Sequence, residues 1–248
     1  MLARAATSLR LRALDLGDRA LGRADRFVPS RRLRGFTGDS DFLATGAEVL
    51  GLLREHGGLQ PGSRVLDVGC GIGRVARTLV DVLDPAAGGG YVGFDPFGEA
   101  IAWCAERYPE HFRFVHADLR NDLYNAGGAI AATDFRFPVD TGWATLAVAT
   151  SVFTHLDRVE AEHYLEETRR ALAPGGVALL TFFLLDDESR AAIAAGRARQ
   201  ALGGAAAEAH DRAAMLDAVA MPATVHEGTW RGGPGLSYQD LVVVRAPG

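Results

Sequence analysis

The sequence predicts an α/β protein: a doubly wound, mostly parallel seven-stranded sheet with an antiparallel last strand. Three observations carry this. Short apolar, β-branched runs alternate five times with helix-periodic stretches, the pattern of βα units that build a parallel sheet. Two more strand-like runs, at 224–230 and 241–245, are joined by RGGPGLSYQD. That link has no helix and is too short for a parallel crossover, so one strand must run antiparallel. Finally, 248 residues with 48% hydrophobic and 23% charged content suffice for one such domain with a full core.

The elements follow in order. Residues 1–34 place Leu9, Leu11, Leu14, Leu16 and Leu21 among arginines, a loosely amphipathic pattern for one or two short helices that Pro29 interrupts. RGFTGDSDF, residues 34–42, is a loop in which Asp39 or Asp41 N-caps the next helix. That helix runs through Leu43, Val49, Leu50, Leu52 and Leu53 and ends at Gly57-Gly58. Pro61-Gly62 turns into the opening strand, and residues 64–76, RVLDVGCGIGRVA, form strand, glycine turn and helix start. YVGFD at 91–95 is the second strand, 98–107 a helix, and FRFVH at 112–116 the third strand. Residues 120–144 are irregular. TLAVAT at 145–150 is a strand buried on both faces. Asp157 and Glu160 make a D-x-x-E capping signature for a helix through Leu172, stopped by Pro174-Gly175-Gly176. VALLTFF at 177–183 is the fifth strand. Residues 187–220 are alanine-rich, with 14 alanines in 191–220, and Gly203-Gly204 splits them into two helices. The domain division is therefore 1–42, a basic helical segment, and 43–248, the folded domain.

Composition removes several function classes. There is no lysine; all 26 basic residues are arginine, which excludes Schiff-base chemistry and a lysine-dependent phosphate loop. Residues 1–34 hold nine Arg against three Asp, net +6, and the rest 17 Arg against 28 acids, net −11. An acidic body argues against a nucleic-acid substrate. The basic start is either a solvated arginine-rich tail or a contact for an anionic surface. No run reaches the length of a membrane span, and the first twenty residues lack the apolar core of a secretory signal. Two cysteines, Cys70 and Cys104, have neither pairing nor zinc-ligand spacing, which suits a reducing cytoplasm.

The glycine turn carries the chemistry. Glycines permit positive φ and let a ligand approach the backbone, and the following helix start offers N–H groups to a polar ligand. A dinucleotide fold requires G-x-G-x-x-G. Here the glycines are Gly69, Gly71 and Gly73, and Arg74 stands where the third glycine of that fingerprint belongs. Asp67, two residues before the turn, is a poor neighbour for pyrophosphate and a good one for a cationic ligand. Asp95 ends the second strand, placed for ribose hydroxyls, and Asp118 follows the third, placed for an exocyclic amine. In a parallel sheet all three acids reach the carboxyl edge, where such folds bind ligands.

On these motifs, over residues 40–245, the chain resembles the class I S-adenosylmethionine-dependent methyltransferases. VLDVGCGIG matches their first motif, GFD the ribose-binding acid, HADL the adenine-binding acid, and LAPGGVALLTFF the entry to the fifth strand. The resemblance implies a Rossmann-like methyltransferase fold and S-adenosylmethionine as cofactor, with S-adenosylhomocysteine as product. It implies that the backbone at Gly69, Cys70, Gly71 and Gly73 surrounds the methionine and ribose parts, with Asp67 near the amino-acid end. Asp95 would bind the ribose, Pro96 and Phe97 lie beside the adenine, and Asp118 with the Leu119 N–H read its edge. Thr150 and Ser151 would face the sulfonium. FTGDSDF, IAWC, NDLYN, FRFP, TSVFTHL and TFFLL are similar to a bacterial subgroup with small-molecule or glycan-type acceptors. That subgroup has a longer segment before its GTW strand, whereas here Met215 runs to Thr224 almost directly.

Methyl transfer is an in-line displacement in which the protein supplies alignment, with a general base where the acceptor is a hydroxyl. His155, after the fourth strand, is the first candidate base; its alternative role is a packed helix-entry histidine. Asp157 is read as an N-cap ahead of a catalyst. Tyr124 and Asn125 are candidates for the acceptor pocket. Trp103, Cys104, Trp230 and Tyr238 are read as packing residues. His155, Asp157 and His163 lack a metal-ligand spacing, so no metal is expected. Residues 1–42 are expected to act as a lid that excludes water. The sequence is thus read as a cytoplasmic S-adenosylmethionine-dependent methyltransferase. The alternatives are a cofactor-binding partner protein without transfer activity and a nucleotide-dependent oxidoreductase.

Overall fold

A computed structural model describes residues 11–248 except 12, 19, 23–24, 36–40, 122–123 and 203–204. Seven strands form the main sheet: β1 (Arg64–Val68), β2 (Gly90–Asp95), β3 (Phe112–His116), β4 (Ala144–Ala149), β5 (Leu172–Phe182), β6 (Ala223–His226) and β7 (Asp240–Arg245). Their spatial order is β6-β7-β5-β4-β1-β2-β3. Strands β1 to β5 pair in parallel, while β7 runs antiparallel between β5 and β6. The order reverses beside β1, so the glycine turn after β1 sits at the topological switch point.

Besides short helical segments before residue 35, such as Arg31–Arg34, the helices among the described residues are α1 (Phe42–Glu55), α2 (Arg74–Leu79), α3 (Gly98–Ala105), α4 (Arg158–Ala171), α5 (Asp187–Ala194) and α6 (Arg212–Val219). Alternation along each strand splits the core between the two sheet faces. Val65, Leu146, Val148, Leu179 and Val243 pack with Val49, Leu53, Val75, Leu79 and Ile101 from α1, α2 and α3. Leu66, Val68, Phe94, Ala149, Leu180 and Val242 pack instead with Tyr164 and Leu165 of α4, Met215 of α6, and Phe135 and Phe137. Among the described residues no helix is long and apolar enough to cross a membrane.

Asp41, not Asp39, is placed as the N-cap of α1: its carboxylate accepts from the Ala44 N–H. The Asp157–Glu160 capping box is complete on α4. Three expectations change. Pro174-Gly175-Gly176 does not separate helix from strand; α4 ends at Ala171 and β5 already begins at Leu172, with an irregular register against β4. The alanine-rich stretch does hold two helices, α5 and α6. Between them lie the two-residue strands Ala201–Leu202 and Ala205–Ala206, paired with each other, and His210–Asp211, paired with Leu184–Leu185 ahead of α5; Gly203-Gly204 falls outside the described residues. The strand expected at 224–230 stops at His226, and Thr229–Arg231 is a single helical turn, because Gly228 donates its N–H to the buried Asp240 carboxylate and leaves the ladder.

Candidate cofactor and active site

The glycine turn folds as its composition demands. Gly69, Gly71 and Gly73 have φ of 69°, 52° and 78°, the left-handed region that glycine enters without penalty. A Cβ at Gly69 would also lie 2.5 Å from Val152 Cγ2, so the segment after β4 packs directly on the turn. The Gly69 and Cys70 N–H groups donate to the Phe94 carbonyl at 3.0 and 3.1 Å, which ties the turn to the end of β2.

Asp95 stands where those pieces meet. One oxygen accepts from the Gly71 N–H and the other from the Phe97 N–H, each at 2.8 Å. The carboxyl is buried, and burial raises its pKa against the opposing pull of those two N–H donors. Each oxygen keeps a lone pair for a further donor. Phe97 packs against Ile72 and Ala100 and faces Tyr124 at a ring-centroid distance of 6.0 Å. His116 contacts the Pro96 carbonyl through Nε2 at 3.2 Å. Asp118 is exposed after β3, and its Oδ1 accepts from Asn125 Nδ2 at 3.1 Å; the same amide donates to the Leu119 carbonyl at 3.0 Å. Leu119 is buried and bridged to Ile130. The structure therefore gathers Gly69 to Gly73, Asp95, Pro96, Phe97, Asp118 and Leu119 along one edge. Tyr124 and Asn125, read from sequence as acceptor candidates, stand with Phe97 and Asp118 on the β2–β3 side of that edge. Burial raises the Tyr124 pKa, and the Asp95 charge raises it further.

Asp67 is not exposed to the turn's outer surface. It is 1% exposed and its Oδ2 accepts from the Tyr91 hydroxyl at 2.6 Å. Burial pushes its pKa up to about 7, with the Asp95 charge adding and the Tyr91 hydrogen bond opposing. Sequence reading missed Tyr91. Its signal is Gly93: a Cβ there would lie 2.6 Å from the Tyr91 hydroxyl, so the glycine of YVGFD makes room for the phenol that holds Asp67.

On the other side of β1, Ser151 takes φ 57°, uncommon for a residue with a side chain. Its N–H donates to Thr181 Oγ1 at 2.8 Å and its Oγ to Gln239 Oε1 at 3.4 Å. Thr181 and Gln239 were also missed; they come from β5 and the approach to β7, far from Ser151 in sequence. Thr150 lies beside it at the end of β4. His155 ends the helical turn Phe153–His155. It is exposed, with no hydrogen-bond partner for its ring among the described residues, and the surrounding protein lowers its pKa by desolvation. Asp157 is occupied as a cap and His163 Nε2 contacts the Phe135 carbonyl at 2.8 Å. Trp230 is buried and Tyr238 exposed, both against Phe183.

Residues 25–35 dock across the same edge. Leu33 and Phe42 pack on Ile72 and Ala100, Asp25 pairs with Arg77 Nε at 2.5 Å, and Arg32 pairs with Glu99.

A family model described as a methyltransferase domain matches residues 42–226. The fold is shared with a Pyrococcus horikoshii protein (TM-score 0.56, 15% identity, covering 85% of this chain and 92% of that one). It is shared with a TehB-like S-adenosylmethionine-dependent methyltransferase from Corynebacterium glutamicum (0.51, 17%, 88% and 94%). It is also shared with the N-methyltransferase NodS from Bradyrhizobium japonicum, crystallised with S-adenosyl-L-homocysteine (0.51, 15%, 85% and 90%). At such identities these likenesses speak for the fold. The family match covers most of the chain, and with the glycine turn and Asp95 in place at the switch point the chain belongs to the methyltransferase-domain family, as an S-adenosylmethionine-dependent enzyme.

Proposed function

We propose that this enzyme methylates a small-molecule or glycan-type acceptor at an oxygen or nitrogen nucleophile by in-line displacement, in the cytoplasm. The observation that carries the reading is the Asp95 carboxylate, clamped between the Gly71 and Phe97 N–H groups with lone pairs to spare. The residues fit the cofactor: three positive-φ glycines open the turn, and an acid waits at the end of β2 for vicinal hydroxyls. When bound, S-adenosylmethionine supplies a methyl carbon already activated by a sulfonium.

The chain's own residues do the rest. The backbone of Gly69, Cys70, Gly71 and Gly73 lines the methionine and ribose parts. Asp95 accepts from the ribose. Pro96, Phe97 and Tyr124 flank the adenine, and Asp118 and Leu119 read its edge. That assigns Tyr124 and Asn125 to the cofactor end, Asn125 by fixing Asp118. Asp67 acts through its field from beneath the turn. Thr150 and Ser151 face the reacting centre. His155 is the base, since a lowered pKa keeps its imidazole neutral and able to take a proton near pH 7. Residues 1–42 act as a lid, of which 25–35 dock at the cofactor edge, while 1–10, 12, 19, 23–24 and 36–40 lie outside the described residues.

Calorimetric titration with S-adenosylmethionine and S-adenosylhomocysteine tests the core of this. The wild type binds both, and Asp95→Ala loses at least tenfold in affinity. No binding by the wild type, or undiminished binding by the variant, overturns the reading.

A further inference from the structure

Four buried polar atoms have no hydrogen-bond partner among the described residues and share one neighbourhood: Thr154 Oγ1, Gln200 Oε1, Trp230 Nε1 and Gln239 Nε2. Trp230 donates its backbone N–H to the Tyr238 carbonyl and accepts at its own carbonyl from Arg199, the residue before Gln200. The Thr154 carbonyl accepts from Glu208, and His210 joins the Phe183 carbonyl through its N–H and Phe153 through Nε2. Phe183 meets the Trp230 ring edge-on at 5.2 Å. The group therefore lies beyond the carboxyl ends of β4, β5 and the start of β7. Gln239 connects it to the reacting edge: it is 4% exposed, and its Oε1 takes the Ser151 hydroxyl.

Buried groups of this kind are normally paired, and an unpaired one in a folded protein calls for an explanation. Here the unspent capacity is mostly donors: the Gln239 amide, the Trp230 indole and the Thr154 hydroxyl, with one carbonyl from Gln200. None of the four is charged. The nearby charges answer each other, since Arg231 bridges Asp240 and Asp186 at 2.8 and 3.0 Å. A neutral, donor-rich surface matches oxygens that accept hydrogen bonds and offers no anion to pair with an ammonium group. Ser151 is held in its unusual conformation by Thr181 and Gln239, so the same amide that would grip the acceptor also fixes the residue beside the glycine turn.

We propose that Gln239, with Ser151, Thr154 and Trp230, forms the acceptor subsite, and that it takes the acceptor through oxygens that accept hydrogen bonds. This rests on the methyl-transfer reading above and narrows it: protonated amines are excluded as the group that Gln239 recognises.

The test uses the full chain saturated with S-adenosylhomocysteine and ligand-observed saturation-transfer NMR. The probes are an alkyl glycoside, a phenol and a lactone, competed against benzylamine. At least one uncharged probe should give the dominant saturation signal. That signal should fall at least fivefold in Gln239→Leu and drop in Trp230→Phe, which keeps the ring and loses the N–H. S-adenosylhomocysteine affinity should stay within twofold in Trp230→Phe, and both variants should melt cooperatively near the wild-type Tm, which shows that the fold is intact. The inference is overturned if no oxygen-bearing probe saturates, if benzylamine dominates, or if Gln239→Leu retains the signal. A wild type that fails to bind S-adenosylhomocysteine removes the underlying methyl-transfer reading instead, so the two failures are told apart.

Discussion

Asp67 shows how one residue can couple stability to pH. Its carboxyl is buried and hydrogen-bonded to Tyr91, and burial lifts its pKa to about 7 from about 3.9 in an unfolded chain. The folded state therefore holds the proton more tightly than the unfolded one. This group's contribution is most favourable below pH 4 and is lost as pH rises through 7. Asp67→Asn cannot ionise and keeps an acceptor for Tyr91. Between pH 5 and pH 8, wild-type stability should fall relative to the variant by about 2–3 kcal/mol, read from urea unfolding at the two pH values. A gap that does not change with pH contradicts the assignment. The cost has a use: the ionised form places negative charge beneath the turn, so S-adenosylmethionine affinity should tighten from pH 6 to pH 8 in the wild type and stay flat in the variant. The position of Asp67 was legible from the spacing in LDVGCG. Its burial was not, because that depends on Tyr91 across the β1–β2 pair and on the space left by Gly93.

At the scale of elements, local signals read well where a few neighbouring residues decide the outcome. Asp157 and Glu160 form a reciprocal cap on α4, as the D-x-x-E spacing indicated. Asp157→Ala should cost about 1 kcal/mol, a few degrees in Tm for a domain of this size, with methyl transfer per folded molecule unchanged. A large fall in turnover without loss of Tm would instead make Asp157 part of the chemistry. The turn itself responds differently. Gly69→Ala meets both a positive φ and Val152 at 2.5 Å, so it should lower Tm and weaken S-adenosylhomocysteine binding together, measured by thermal melting and calorimetry. The segments read poorly from sequence are those governed by distant partners. Alanine is a strong helix former, yet residues 195–211 run through short strand pairs and backbone bonds to Thr154, Phe183 and Trp230. The strand expected at 224–230 is cut short by Asp240, which captures the Gly228 N–H from β7.

For the whole molecule, the topology was legible because βαβ connections admit one hand and put every βα turn on one edge; the link RGGPGLSYQD then required the reversal seen in β7. What no local pattern shows is how residues before α1 meet that edge. Asp25 reaches Arg77 on α2, Arg32 reaches Glu99 on α3, and Tyr108 donates to the Phe27 carbonyl at 3.3 Å. The two helices so bridged begin at the two turns that hold Asp95 from either side. Exposed or half-exposed ion pairs of this kind contribute at most about 1 kcal/mol each, so the docked segment is held weakly enough to open and is steadied by whatever stiffens the turns. Trypsin is a suitable probe because the chain has no lysine and residues 1–34 hold nine of its 26 arginines. Saturating S-adenosylhomocysteine should slow cleavage at Arg26, Arg31 and Arg32 several-fold, with the cut sites assigned by mass spectrometry. Asp25→Asn, which weakens the pair with Arg77, should speed cleavage at those sites without cofactor and shrink the protection. Cleavage unchanged by cofactor in the wild type would show that residues 1–42 do not act as a lid.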